Sequence, residues 1–120
     1  MWTYQSSTGK LLSPGLAFSA IGYSGHGPGL NNPAMENVPD VGPIPRGDYQ
    51  IGDFFDDPEK GPIVAHLTPA PGTNDFGRSG FMLHGDNAAG NNSASLGCII
   101  MPHYVRSAIA SSSDRSLTVI

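Results

Sequence analysis

The chain has 120 residues and a mass of 12.5 kDa, enough for one modest core but not two, so a single domain over residues 1–120 is expected. Charged residues make up 13% of it, about half the usual ~25%, and together with 16 glycines and 11 prolines this excludes long charged helices, while 38% hydrophobic residues exclude disorder by composition. A net charge of -4 with no basic cluster argues against nucleic acid, and no apolar run approaches the ~18 residues needed to span a membrane.

Strand-like runs bounded by turn signals occur at residues 2–5, 16–23, 48–52, 63–67, 81–84 and 116–120. Residues 1–20 lack the basic start and continuous apolar stretch of a Sec signal, so any export is expected to take another route. Residues 24–45 are dense in Gly, Asn and Pro and read as a long surface loop. Within it, Gly25-His26-Gly27-Pro28-Gly29 imitates a phosphate loop, but no Lys-Ser or Lys-Thr follows, and Pro28 and Pro33 prevent a helix from starting. Tyr49 and Ile51 alternate with Gln50, and Ile63, Ala65 and Leu67 alternate with Val64 and His66, giving each strand one apolar face and leaving His66 facing solvent. Between these strands Asp53, Asp56, Asp57 and Glu59 read as a solvated loop. Residues 102–111 carry the one helical pattern, with Pro102 in the first turn and Tyr104, Val105, Ala108 and Ile109 at helical spacing. The expected fold is therefore mostly β with one short helix.

Chemistry concentrates in residues 80–101, GFMLHGDNAAGNNSASLGCIIM. His84 ends a strand-like run, and Cys98, the sole cysteine, stands at the far end of a small-residue loop. A thiol has a reference pKa near ~8.5, and a neighbouring imidazole can take its proton and later protonate a leaving group. Gly97 permits a tight turn and offers its own amide and that of Cys98 to a developing oxyanion. In outline this is an acyl-transfer site. The other histidines, His26, His66 and His103, form no close two-ligand spacing with one another or with His84, and there is no second cysteine. No metal or other cofactor is expected.

The run His84-Gly85 followed by Ser95-x-Gly97-Cys98-Ile99 resembles the signature of YkuD-type L,D-transpeptidases. More of the chain resembles the L,D-transpeptidase effector domain of bacterial type VI secretion systems: Trp2-x-Tyr4-x-Ser6, Gly22-Tyr23-Ser24-Gly25, Asn31-Asn32-Pro33, Gly42-Pro43-Ile44-Pro45-x-Gly47-x-Tyr49 and Gly77-Arg78-Ser79-Gly80-Phe81. The resemblance implies a YkuD-like β-sandwich or barrel-like fold and a cysteine enzyme acting on peptidoglycan stem peptides. Carried onto this sequence, it implies Cys98 as nucleophile, His84 as general base, the Gly85 carbonyl orienting the imidazole, Ser95 as the motif serine, and the amides of Leu96, Gly97 and Cys98 as oxyanion hole. It also implies delivery by a type VI apparatus into a target cell's periplasm, contact with a component of that apparatus, and neutralisation by a cognate immunity protein.

Two departures stand out. Leu96 replaces the histidine often found before the glycine-cysteine pair, and Ile100 and Met101 stand where many YkuD-type enzymes carry an arginine. A substrate carboxylate must then be bound from elsewhere, and Arg78, just before the strand ending in His84, is the candidate, with Arg46 or Arg106 next. Asp86 is a candidate to orient His84 or to grip a substrate ammonium, or else a loop cap. Tyr23 and Asn32 are further substrate-binding candidates in loops that the resemblance covers, with buried hydrogen bonding as the other role for each. Two rival functions remain open: a papain-like peptidoglycan endopeptidase or amidase, in which the cysteine generally precedes the histidine and starts a helix, and a catalytically silent wall-binding module.

Overall fold

The computed structural model describes residues 1–120. It contains strands β1 (Trp2–Gln5), β2 (Lys10–Leu12), β3 (Ser19–Ile21), β4 (Tyr23–Ser24), β5 (Gly47–Ile51), β6 (Phe55–Asp57), β7 (Gly61–Pro69), β8 (Met82–His84), β9 (Ile99–Ile100) and β10 (Ser116–Val119), and one helix, α1 (His103–Ala110). The sheet runs β3-β2-β1-β10-β5-β7-β8-β9-β4, with β6 paired to β7 off that path. Its two end strands, β3 and β4, are consecutive in the chain and separated only by Gly22, so the sheet curls until its edges meet in a nearly closed, barrel-like wall. Glycine is required at this seam: a Cβ on Gly22 would lie 1.9 Å from the Ile100 carbonyl oxygen. The fold is mostly β, as the turn-bounded runs predict.

Alternation fills the barrel. Trp2 and Tyr4 on β1, Tyr49 and Ile51 on β5, and Leu117 and Val119 on β10 all enter one buried cluster, to which α1 adds Val105 and Ile109. Each such aliphatic side chain contributes about 1.5–3 kcal/mol by leaving water. β1 and β10 pair in parallel, Thr3 opposite Thr118, which places the first and last strands side by side in the wall. No helix is long and apolar enough to cross a membrane.

The structure corrects four local expectations. Residues 16–23 are not one strand: Leu16 ends a 3-10 turn, and β3 and β4 are split by Gly22 because they are opposite edges of the barrel. Residues 24–45 are not wholly a surface loop; Gly42, Pro43, Ile44 and Pro45 are buried, and the 3-10 turns Gly27–Gly29 and Pro33–Met35 give the segment local order. The acidic run at 53–59 includes β6, and Asp57 Oδ1 accepts the amides of Glu59 and Lys60 to cap the turn into β7. Finally, Ile63 adopts φ 41°, which breaks the alternation so that Val64 and Ala65 are both buried; His66 faces outward and stacks on Phe55 with ring centroids 5.1 Å apart.

Candidate active site

β8 and β9 run parallel, with Leu83 opposite Ile99 and His84 opposite Ile100. Paired residues share a face, and so do residues two apart, so Cys98, two before Ile100, projects from the same face as His84. Leu83 and Ile99 turn inward and join the core cluster. The register therefore brings the imidazole and the thiol together on the outer face of the barrel, where both line one pocket of about 460 Å³. Cys98 enters a strand and not a helix, and it follows His84 in the chain, neither of which suits the papain-like reading.

His84 is 4% exposed, and its Nδ1 lies 2.8 Å from the Gly85 carbonyl oxygen. A carbonyl can only accept, so Nδ1 carries the proton and Nε2 keeps the free lone pair. Burial holds the imidazole below its ordinary pKa, and the charges of Lys60 and Arg106 act in the same direction, against the Gly85 contact and Asp57. Burial pushes the Cys98 thiol up, opposed by a backbone hydrogen bond and by the charges of Lys60 and Arg78. At neutral pH the resting pair is thus a thiol and a neutral imidazole, suited to proton transfer as the thiol attacks.

The turn carrying Cys98 is clamped by Ser95. Ser95, fully buried, accepts the amides of Gly25 at 2.9 Å and Gly97 at 3.1 Å through Oγ and donates to the Cys98 carbonyl at 2.6 Å. Its hydroxyl fixes the turn that carries Cys98, with both lone pairs and its proton engaged. The Gly97 amide, being given to Ser95, is not free for an oxyanion, which corrects the expectation for that residue and leaves Leu96 and Cys98 as donors in the turn. Gly97 itself has φ 131°, and a Cβ there would lie 2.3 Å from Arg78 Nη2. His26, in the segment whose composition reads as a surface loop, donates Nδ1–H to the Ser95 carbonyl at 2.9 Å.

Arg78 is not a carboxylate fork. It is 7% exposed, and its Nη1 donates to the carbonyls of Glu36 and Pro43 and its Nη2 to those of Gly42 and Leu96, at 2.7 to 3.1 Å. It fastens the 36–43 segment to the turn that carries Cys98. The alternates are equally committed: Arg46 forms a two-pronged pair with Glu36, and Arg106 donates to the carbonyls of Pro62, Ile63 and Met101. Asp86 does not orient His84; its Oδ1 accepts the Tyr23 hydroxyl at 2.7 Å and the Asn87 amide. Tyr23 in turn accepts the Ala94 amide at 3.0 Å, so this pair staples the ends of the 86–94 loop, and the phenol pKa is pushed up to about 12 by burial and by Asp86. Asn32 caps the turn at Pro33–Met35, accepting from Ala34 and donating to Pro28, and lies outside the pocket. Backbone carbonyls and amides took most of these side chains, and they leave no sequence signature.

A family model described as Tlde1 domain matches residues 19–119. No curated protein sequence and no solved structure matches the chain.

Proposed function

The chain belongs to the Tlde1 domain family, a family of type VI secretion effectors, and on that premise we propose that it is an L,D-transpeptidase or L,D-carboxypeptidase of peptidoglycan tetrapeptide stems. The observation that carries this reading is the Nδ1–H of His84 held by Gly85, which leaves Nε2 as a base in the same pocket as Cys98. His84 takes the thiol proton as Sγ bonds to the carbonyl carbon of the third stem residue, the L-centre of meso-diaminopimelate. The oxyanion that forms faces the Cys98 and Leu96 amides. Collapse breaks the C–N bond, His84 protonates the departing D-alanine nitrogen, and a thioester remains. Water then releases a tripeptide, or a D-amino acid or a second stem's amine takes the acyl group. In either case His84 removes the incoming nucleophile's proton and Cys98 is regenerated.

In this reading the enzyme acts in a target cell's periplasm after delivery by the type VI apparatus, consumes the tetrapeptides needed for cross-linking, and is neutralised in the producing cell by an immunity protein. Mass spectrometry of purified tetrapeptide muropeptides, incubated with and without added D-amino acid, tests it. Loss of the terminal D-alanine, or its exchange, is expected; muropeptides left intact by a folded protein with a reactive thiol would overturn it.

A further inference from the structure

The six Lys and Arg residues can be sorted by what holds them. Arg46 is paired with Glu36, Arg78 and Arg106 are spent on backbone carbonyls, and Arg115 donates to the carbonyls of Gly52, Ala110 and Ser112. Lys10 lies on β2 and does not line the pocket. Lys60 remains. It lines the pocket that holds His84 and Cys98, and no carboxylate is within ion-pair distance of its ammonium.

We propose that Lys60 is the cation that holds a carboxylate of the ligand entering the Cys98 pocket, the function the sequence suggested for Arg78. Its backbone is fixed for the purpose: Asp57 Oδ1 accepts the Lys60 amide at 2.9 Å, and Gly61 at φ 90° turns the chain into β7. The long stem spares the ammonium from burial and lets it reach across the mouth. Of the three charged residues that line the pocket with His84 and Cys98, Arg78 is spent on backbone carbonyls and Asp40 has the wrong sign for a carboxylate, which leaves Lys60, whose charge also acts on both His84 and Cys98. With the proposed reaction, on which this identification of the ligand rests, the carboxylate is that of the terminal D-alanine.

A pair of small alkylating agents separates charge reading from turnover. Iodoacetate and iodoacetamide each bond to Cys98 Sγ with loss of the thiol proton and departure of iodide, and they differ in carrying or lacking a carboxylate. A changed thiol pKa scales both rates, so their ratio isolates the carboxylate. In Lys60→Ala the iodoacetate-to-iodoacetamide ratio should fall about three- to fivefold, the upper range for a partly exposed ion pair. Lys60→Arg should restore most of it, and Lys10→Ala should leave the wild-type ratio. A ratio unmoved by Lys60→Ala, or moved equally by Lys10→Ala, overturns the proposal. On tetrapeptide, Lys60→Ala should raise KM more for the free acid than for its terminal carboxamide. If wild type fails to turn over tetrapeptide while the alkylation ratio still depends on Lys60, the proposed reaction falls and the carboxylate site stands.

Discussion

In the proposed reaction, two side chains and one carbonyl set the reactivity at the residue scale. Because Nδ1–H is tied to Gly85, the His84 imidazole offers its lone pair without a carboxylate behind it, and burial keeps it neutral to lower pH than usual. The sign follows directly: a depressed imidazole pKa keeps the base available as pH falls, so the acidic limb of kcat/KM should lie below the ~6.5 of an ordinary histidine. A limb at or above that value would mean that burial does not hold the imidazole pKa down. His84→Ala should slow turnover by about 10²-fold or more, the usual contribution of a general base. Cys98→Ala should abolish both turnover and the acyl adduct, read by intact-protein mass spectrometry, while circular dichroism stays that of wild type.

The element that matters most is the turn from Ser95 to Cys98, held by Ser95 from one side and Arg78 from another. Gly97→Val places a branched side chain on a residue at φ 131° and against the Arg78 guanidinium. A folded variant that no longer alkylates or acylates at Cys98 is expected; normal acylation would remove this turn from the mechanism. Arg78→Ala strips donors from the carbonyls of Glu36, Gly42, Pro43 and Leu96, at a cost of about 2 kcal/mol or more, and at roughly 4 °C per kcal/mol the loss is visible in a thermal melt. Arg78→Lys should recover little of this Tm, because an ammonium has three donors for four carbonyls and no planar fork. A substrate-binding arginine would behave in the opposite way, losing affinity with its Tm intact.

For the whole molecule, the decisive feature is the seam where β3 and β4 close the barrel. Gly22 lies against the Ile100 carbonyl, next to the strand that Cys98 enters. Gly22→Ala should therefore lower both Tm and the alkylation rate, since the seam cannot admit a methyl without pushing β9, the strand Cys98 enters, away from β4. Gly52→Ala is the control: a Cβ there stays 3.4 Å from its nearest neighbour and the backbone is not left-handed, so its Tm should change by no more than a degree or two. Equal losses in the two variants would mean that the seam has no special place in the fold.

Alternating residues such as Tyr49 with Ile51, and Leu117 with Val119, made five of the strand runs legible in the sequence, and the spacing of Val105 and Ile109 did the same for α1, because those patterns are local and burial follows them. The pairing of His84 with Cys98 was legible for a similar reason, since both lie in one short segment. What the tertiary structure alone decided is who partners whom across the chain. It set β1 beside β10, split residues 16–23 between two barrel edges, and gave Arg78 to carbonyls from two separate segments, 36–43 and the turn at Leu96. It also took the Gly97 amide for Ser95 and, by spending Arg78 on carbonyls, left Lys60 as the pocket's unpaired cation. The physical reason is that every residue carries the same carbonyl and nearly every one the same amide, so a side chain's backbone partner has no signature in the sequence and is settled only when the segments pack.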